Sequence, residues 1–255
     1  MTRVIKVGGR VQLDHRLPEA LAGAHRAAPG SLVVVHGGGD EVTTLQRLYG
    51  IQPRFERGRR VTSALDVEII RMALSGSANK RLVSALNDVG VSAVGLSGED
   101  AGLLRATPLD PSTYGFVGVP AAVNTTLLRL LLDGGHLPVL SPVSRSTDGR
   151  GGATLNVNGD DAAASIAVAL GAEELLLVSD VAGVLVHGEP VATLEPDDAQ
   201  RCIDDGTAAG GMEAKLRAAL GALAGGVARV RISDIAAIES FDRGTVLTRV
   251  ESVCA

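Results

Sequence analysis

The sequence predicts an α/β protein whose parallel or mostly parallel sheet is covered by helices on both faces. Three observations predict it. Short, almost wholly apolar runs recur at residues 31–36, 91–96 and 174–179. Segments of helical length and pattern separate them. Glycines and polar residues collect just after the runs, where open α/β sheets bind ligands.

Residues 4–7 form a short strand ending at Gly8-Gly9, and residues 17–25 form a helix. The strand at 31–36 has an apolar centre (Leu32, Val33, Val34, Val35), runs into Gly37-Gly38-Gly39, and is followed by a helix from Asp40 to about Tyr49. A polar, basic loop at 53–60 precedes a helix from Ala64 to about Leu74. A helix at 79–89 leads to the strand at 91–96, which ends in Ser97-Gly98. Residues 110–119, rich in Gly, Pro and Tyr, read as a hairpin or loop. A helix at 125–132 feeds a strand at 137–140, and a polar turn at 156–161 opens a helix at 162–170. Beyond it come a strand at 174–179, a helix or loop at 196–205, a helix at 212–223 opened by Gly210-Gly211, and strands at 228–232 and 245–250. A boundary near Gly171 divides residues 1–170 from 171–255. The sheet is expected to continue across it without a flexible linker.

Composition narrows the function. Glycine supplies 32 of 255 residues, against about 7% in ordinary proteins, and belongs to turns of a folded chain. Aromatic residues are 2% and the net charge is -5. With no basic cluster either, nucleic acid is not an expected partner. The charged N-terminal residues break at Gly8-Gly9, as neither a signal peptide nor a membrane span would. Cys202 and Cys254 have no metal-ligand spacing and read as reduced thiols of a cytoplasmic protein.

Three strand ends carry glycine turns: Gly8-Gly9, Gly37-Gly38-Gly39 and Ser97-Gly98. Glycine lets backbone N–H groups approach an oxyanion, and a following helix N-terminus adds positive potential. Three such turns on one sheet edge favour an anion site. Neither the G-x-x-x-x-G-K-[ST] loop nor G-x-G-x-x-G after the first strand is present, so any nucleotide site is of another design. Lys6, two residues before the first glycine turn, reads as a phosphate ligand. Lys215, early in its helix, opposes the helix dipole unless an anion lies nearby. Asn156, Asn158 and Asp160 alternate with period two and can converge, while Asp160 or Asp161 could cap the next helix. Ser179-Asp180-Val181-Ala182-Gly183 can hold ribose or phosphate, or be an Asp-capped turn. Of Arg57, Arg59 and Arg60, one can fork onto a carboxylate and at least one is solvated. His36 reads as a buried, hydrogen-bonded histidine rather than a general base.

These segments together resemble the amino-acid kinase family, and within it the enzymes that phosphorylate N-acetyl-L-glutamate. The matching residues are Ile5-Lys6-Val7-Gly8-Gly9, His36-Gly37-Gly38-Gly39, Gly58-Arg59-Arg60-Val61-Thr62, Ala78-Asn79-Lys80, Gly95-Leu96-Ser97-Gly98, Asn156-Val157-Asn158-Gly159-Asp160, Ser179-Asp180-Val181-Ala182-Gly183-Val184 and Gly210-Gly211-Met212-Glu213-Ala214-Lys215.

The resemblance implies a three-layer α/β/α sandwich with an open central sheet. Residues 1–170 would bind the acyl amino acid and dimerise, and residues 171–255 would bind ATP. Lys6 and Lys215 would stabilise the transition state, with Asp160 organising them. Gly8, Gly9, Gly38 and Gly39 would donate N–H groups to the transferring phosphoryl group. Arg60 and Asn156 would hold the acceptor. Ser179, Asp180, Gly183, Val184, Leu185, Gly210 and Gly211 would line the nucleotide. Mg²⁺ would be carried by the ATP phosphates, with no protein metal site.

Family members that form arginine-inhibited hexamers carry an added N-terminal helix. With Lys6 so near the start, a homodimer without that inhibition is expected. The segment Arg229-Val230-Arg231-Ile232-Ser233-Asp234 departs from the family pattern. Two other readings stay open: a sister kinase acting on α-aminoadipate or glutamate linked to a carrier protein, and a non-catalytic metabolite-binding protein on the same fold.

Overall fold

The computed structural model describes residues 2–148, 153–186 and 188–248. Seven strands form the central sheet in the order Thr245–Thr248, Arg229–Ser233, Glu174–Val178, Arg3–Val7, Leu32–His36, Leu137–Ser141 and Ala93–Ser97. All neighbours are parallel except Thr245–Thr248, which runs antiparallel to Arg229–Ser233. Leu32–His36 and Glu174–Val178 are buried along their whole length, as strands covered on both faces must be. The expected strand at 245–250 is described as far as Thr248; residues 249–250 and Cys254 lie outside the described residues.

Alternation along the strands builds two cores. Ile5, Val7, Val34 and Leu176 face the helices Leu17–Ala27 and Asn79–Asp88. Val4, Val33, Val35 and Leu175 face the helices Gly159–Leu170 and Gly211–Ala224. Lys6 shares the parity of Val4, so its side chain enters the second layer. Arg3–Val7 pairs on one side with Leu32–His36 and on the other with Glu174–Val178, so strands from both halves of the chain share one hydrogen-bonded sheet.

Three regions depart from the sequence reading. Leu104–Pro108, Val117–Val123, Val143–Ser146 and Thr154–Val157 close into a small barrel. Residues 110–119, read as a hairpin or loop, contain one helical turn, Pro111–Tyr114, and the start of a barrel strand. The helices expected at 64–74 and 79–89 are joined. Ala64–Ile70 continues as a π-helical stretch, Arg71–Ala78, directly into Asn79–Asp88. The loop at 53–60 is a miniature hairpin of Phe55–Glu56 and Arg59–Arg60. Its turn residues Arg57 and Gly58 both have positive φ, 47° and 74°, as a two-residue hairpin turn requires.

Candidate active site

The site lies at the carboxyl ends of the central strands. The Lys6 ammonium is 2.8 Å from Asp160 Oδ1, and the Lys215 ammonium is 3.5 Å from Asp160 Oδ2. All three side chains are buried. One carboxylate therefore bridges two cations, and the group retains a net positive charge that an incoming anion can neutralise. Burial alone would push the Asp160 pKa up, but Lys6 and Lys215 outweigh it and hold the carboxyl below its usual range. Burial, and next the neighbouring Lys6, push the Lys215 pKa down.

Local sequence explains the placement. Asn158 precedes the Gly159–Leu170 helix in extended conformation, and its side-chain oxygen accepts from the N–H groups of Asp160 and Asp161 at 2.8 and 3.4 Å. Asn158 is thus the cap, which corrects the expectation of an Asp160 or Asp161 cap. Both aspartates sit inside the first turn, and Asp160 is free to face the lysines.

Two hollows meet at Lys6. One, of about 240 Å³, is bordered by Gly38, Gly39, Arg60, Asn156 and Asn158, with Val42 and Leu74 on its apolar side. The other, of about 440 Å³, is bordered by Gly8, Gly9, Ser179, Asp180, Gly211 and Lys215. Lys6, Gly9 and Gly39 border both. The N–H groups of Gly9, Gly38 and Gly39 have no hydrogen-bond partner among the described residues. Ser179 Oγ is buried and also unpartnered. Unsatisfied donors beside two lysines suit the phosphate chain of a nucleotide. Among the described residues no three His, Cys, Asp or Glu side chains cluster as a metal site, and no helix is long and apolar enough to cross a membrane.

The three basic residues of the hairpin separate. Arg57 is solvated at the turn. Arg59 pairs with Asp161 at 2.9 Å; burial pushes the Asp161 pKa up and Arg59 partly offsets this. Arg60 reaches the smaller hollow, donating to Gln46, to the Gly39 carbonyl at 2.9 Å and to Thr43 at 2.8 Å, and it stacks 4.7 Å over Phe55.

Other expected residues fall elsewhere. Gly183, Val184 and Leu185 border neither hollow. A side chain at 183 would meet Thr245, Val184 is packed in the core, and Leu185 is exposed in a two-residue strand. Gly210 borders a third hollow of about 250 Å³ beside Arg57, Arg59 and Arg217. The Ser97-Gly98 turn does not join the site, because Asp100 already accepts from the Ser97 N–H at 2.6 Å and Gly98 is packed against Val143 and Leu104. Only two of the three glycine turns therefore face the cleft. Arg10 was missed: it borders the larger hollow, 3.2 Å from Asp180 and 3.4 Å from Asp40. Its signal was its place directly after Gly9.

Known proteins resemble this chain over most of its length. An acetylglutamate kinase of Paracoccus denitrificans is 48% identical over 203 residues, which cover 79% of this chain and 66% of that protein. An acetylglutamate kinase of Roseiflexus sp. is 42% identical over 248 residues, covering 96% of this chain and 93% of the relative. A solved structure from Streptococcus mutans has 30% identity and a TM-score of 0.86, covering 97% of this chain and 98% of its own. The model of the amino acid kinase family aligns with residues 1–234, a span that takes in both lysines, the bridging aspartate and both cleft-facing glycine turns, and the chain belongs to the amino acid kinase family.

Proposed function

We propose that the protein transfers the γ-phosphoryl group of ATP to the side-chain carboxylate of N-acetyl-L-glutamate, the acyl-phosphate-forming step of arginine biosynthesis. The observation that carries this reading is the Lys6–Asp160–Lys215 bridge where two hollows meet. A carboxylate acceptor has a pKa of about 4.3 and is ionised at neutral pH, so no general base is required. An acceptor oxygen bonds to the γ-phosphorus, the bond from that phosphorus to the β,γ-bridging oxygen breaks, and ADP leaves. The obstacle is repulsion between anions, and the chain answers it with cations and N–H donors.

Lys6 and Lys215 neutralise charge on the transferring group, and Asp160 keeps the two ammonium groups apart and aimed. The N–H groups of Gly9, Gly38 and Gly39 are left to the transferring group, whereas the expected Gly8 donor is already spent on the Val178 carbonyl at 2.9 Å, within the ladder between the two strands. Arg60 and Asn156 hold the acceptor in the smaller hollow. Ser179, Asp180 and Gly211 line the nucleotide phosphates, while Gly183, Val184, Leu185 and Gly210 belong to the surrounding nucleotide lobe of residues 171–255. Residues 1–170 form the acceptor lobe. Mg²⁺, carried by the ATP phosphates rather than by a protein site, would offset their charge. The protein works in the cytoplasm as a homodimer, and exposed Leu48, Leu65 and Met72 on adjacent helices are surface for a second copy to cover.

The third hollow, flanked by Arg57, Arg59 and Arg217 and opening beside the acceptor side, favours one alternative, a carrier-linked acceptor. Trapping of acyl phosphate with hydroxylamine under Mg-ATP decides between them. Signal with N-acetylglutamate supports the proposal, signal only with carrier-linked aminoadipate moves the protein to the sister activity, and silence with every acceptor refutes both.

A further inference from the structure

Three polar side chains beneath the second glycine turn, His36, Gln12 and Asn79, border neither hollow and have no part in the chemistry above. His36 and Asn79 are fully buried. Two of the three, His36 and Gln12, converge on one carbonyl. The Gly37 oxygen accepts from His36 Nδ1 at 2.9 Å and from Gln12 Nε2 at 2.8 Å. A carbonyl only accepts, so Nδ1 carries the imidazole proton. Across the ring, Nε2 lies 3.0 Å from the Asn79 amide nitrogen, which also donates to the Val139 carbonyl at 2.9 Å. An amide NH₂ only donates, so Nε2 is bare. The imidazole is therefore neutral and held in one tautomer from both sides. Burial agrees, pushing its pKa down to about 4. Asn79 can come this close because residue 95 is glycine; any side chain there would collide with Asn79 Oδ1.

The consequence passes through one peptide plane. In a trans peptide the C=O and N–H point in opposite directions. Holding the Gly37 oxygen down against His36 and Gln12 turns the Gly38 N–H up, into the cleft. Gly38 has φ +149°, and a Cβ there would lie 2.6 Å from Leu74. With no side chain at 37 or 38, the peptide has nothing of its own to restrain it, and glycine loses more freedom on ordering than any other residue.

We propose that His36 and Gln12 are positioning residues that clamp the Gly37–Gly38 peptide, presetting the Gly38 N–H toward the transferring phosphoryl group, with Asn79 fixing the histidine tautomer. This rests on the kinase reading of the site.

The test separates the clamp from mere core filling. His36→Phe keeps the ring and loses the donor. His36→Asn loses volume but keeps an N–H close to the place of Nδ1. Turnover, measured well below each variant's melting temperature, should fall about 30-fold in His36→Phe and about tenfold in Gln12→Leu, less than the loss for deleting an oxyanion donor outright. It should recover to within about threefold of wild type in His36→Asn, with KM for either substrate little changed. The Gly38 amide resonance of selectively ¹⁵N-labelled full-length protein should move in His36→Phe and Gln12→Leu and stay near its wild-type position in His36→Asn. Wild-type turnover in His36→Phe, equal losses in the Phe and Asn variants, or an unmoved Gly38 resonance would each overturn the clamp. If the wild type phosphorylates no acceptor, the kinase reading fails, and the Gly38 resonance still decides whether the clamp exists.

Discussion

The central sheet holds a buried carboxylate among excess cations at each of its two ends, and the two clusters behave as opposites. At the carboxyl end, Asp160 bridges Lys6 and Lys215. At the amino end, Glu174 takes Arg3 at 2.5 Å, Arg231 at 2.6 Å and Arg229 at 3.1 Å. There the donors of Arg231, and most of those of Arg3, are spent. Arg231 also donates to the carbonyls of Ser240, Arg243 and Ala237, Arg3 donates to those of Ile238 and Ala237, and the Phe241 ring sits over all three guanidinium groups. This is the segment that departs from the family pattern, and its arginines staple residues 237–243 to the sheet. A guanidinium has a rigid fork of donors that fixed carbonyls can saturate; an ammonium has three rotatable donors on a flexible stem. Excess positive charge marks a ligand site only where donors remain unspent and a hollow lies in front of them.

The comparison breaks if the roles of the two ends can be exchanged. The largest effect should come from Lys6→Ala, which should lower turnover about 10³-fold, in the range seen when preorganised charge stabilisation is removed. The protein should still fold, because Lys215 continues to neutralise Asp160. Steady-state assays beside a thermal melt check both halves. Next comes Glu174→Gln, which should cost roughly 3 kcal/mol of stability by leaving buried guanidinium charge uncompensated. Turnover should stay within about twofold, since the cluster lies at the far edge of the sheet. If Glu174→Gln cut turnover while leaving the melting temperature alone, the division between the ends would be wrong.

Acid titration sharpens the point. Burial raises the Glu174 pKa, but Arg231, Arg3 and Arg229 outweigh it and hold the carboxyl below its ordinary value. The stability it confers is complete above the unfolded pKa of about 4.3 and is lost as pH falls through the lower folded value. The stability gap between wild type and Glu174→Gln should therefore narrow in that window, which pH-dependent denaturant melts measure. The smallest effect is at the carboxyl end. Lys215 has its pKa lowered by burial and then by Lys6. The alkaline limb of the turnover profile should begin below the ordinary lysine value, reaching about a factor of two where half of Lys215 has lost its proton. An alkaline limb unchanged from ordinary lysine would mean that Lys215 does not act as a cation in turnover.

The central sheet was legible because its strands are buried on both faces, so runs such as Leu32, Val33, Val34 and Val35 have no polar interruption. The barrel was not. Val143–Ser146 is four residues long with a polar majority, and besides the following strand Thr154–Val157 it pairs with the distant Leu104–Pro108, which local pattern does not encode. The π-helical stretch was invisible for a related reason. Ser75-Gly76-Ser77 reads as a helix break, yet packing carries the chain through it, with Ser75 and Ser141 sharing a hydrogen bond of 2.7 Å. At the site, Lys6 and Lys215 were each legible from residue type and position as cations facing an anion, while their grouping with Asp160 came from the resemblance to the amino-acid kinase family. The Asn158 cap and the closed Ser97-Gly98 turn were not legible, because each depends on which neighbour reaches a given N–H first.

Arg3–Val7 is hydrogen-bonded along both sides, to a strand from each half of the chain. There is no seam in the middle of the sheet about which the halves could swing. A motion of the sheet as a whole would then be torsion of a twisted ribbon, in which displacement grows with distance from the axis. Lys6 sits on the strand nearest that axis. In such a motion the groups on the flanking strands would move furthest and the Lys6 ammonium least, like the hub of a wheel whose rim is allowed to flex.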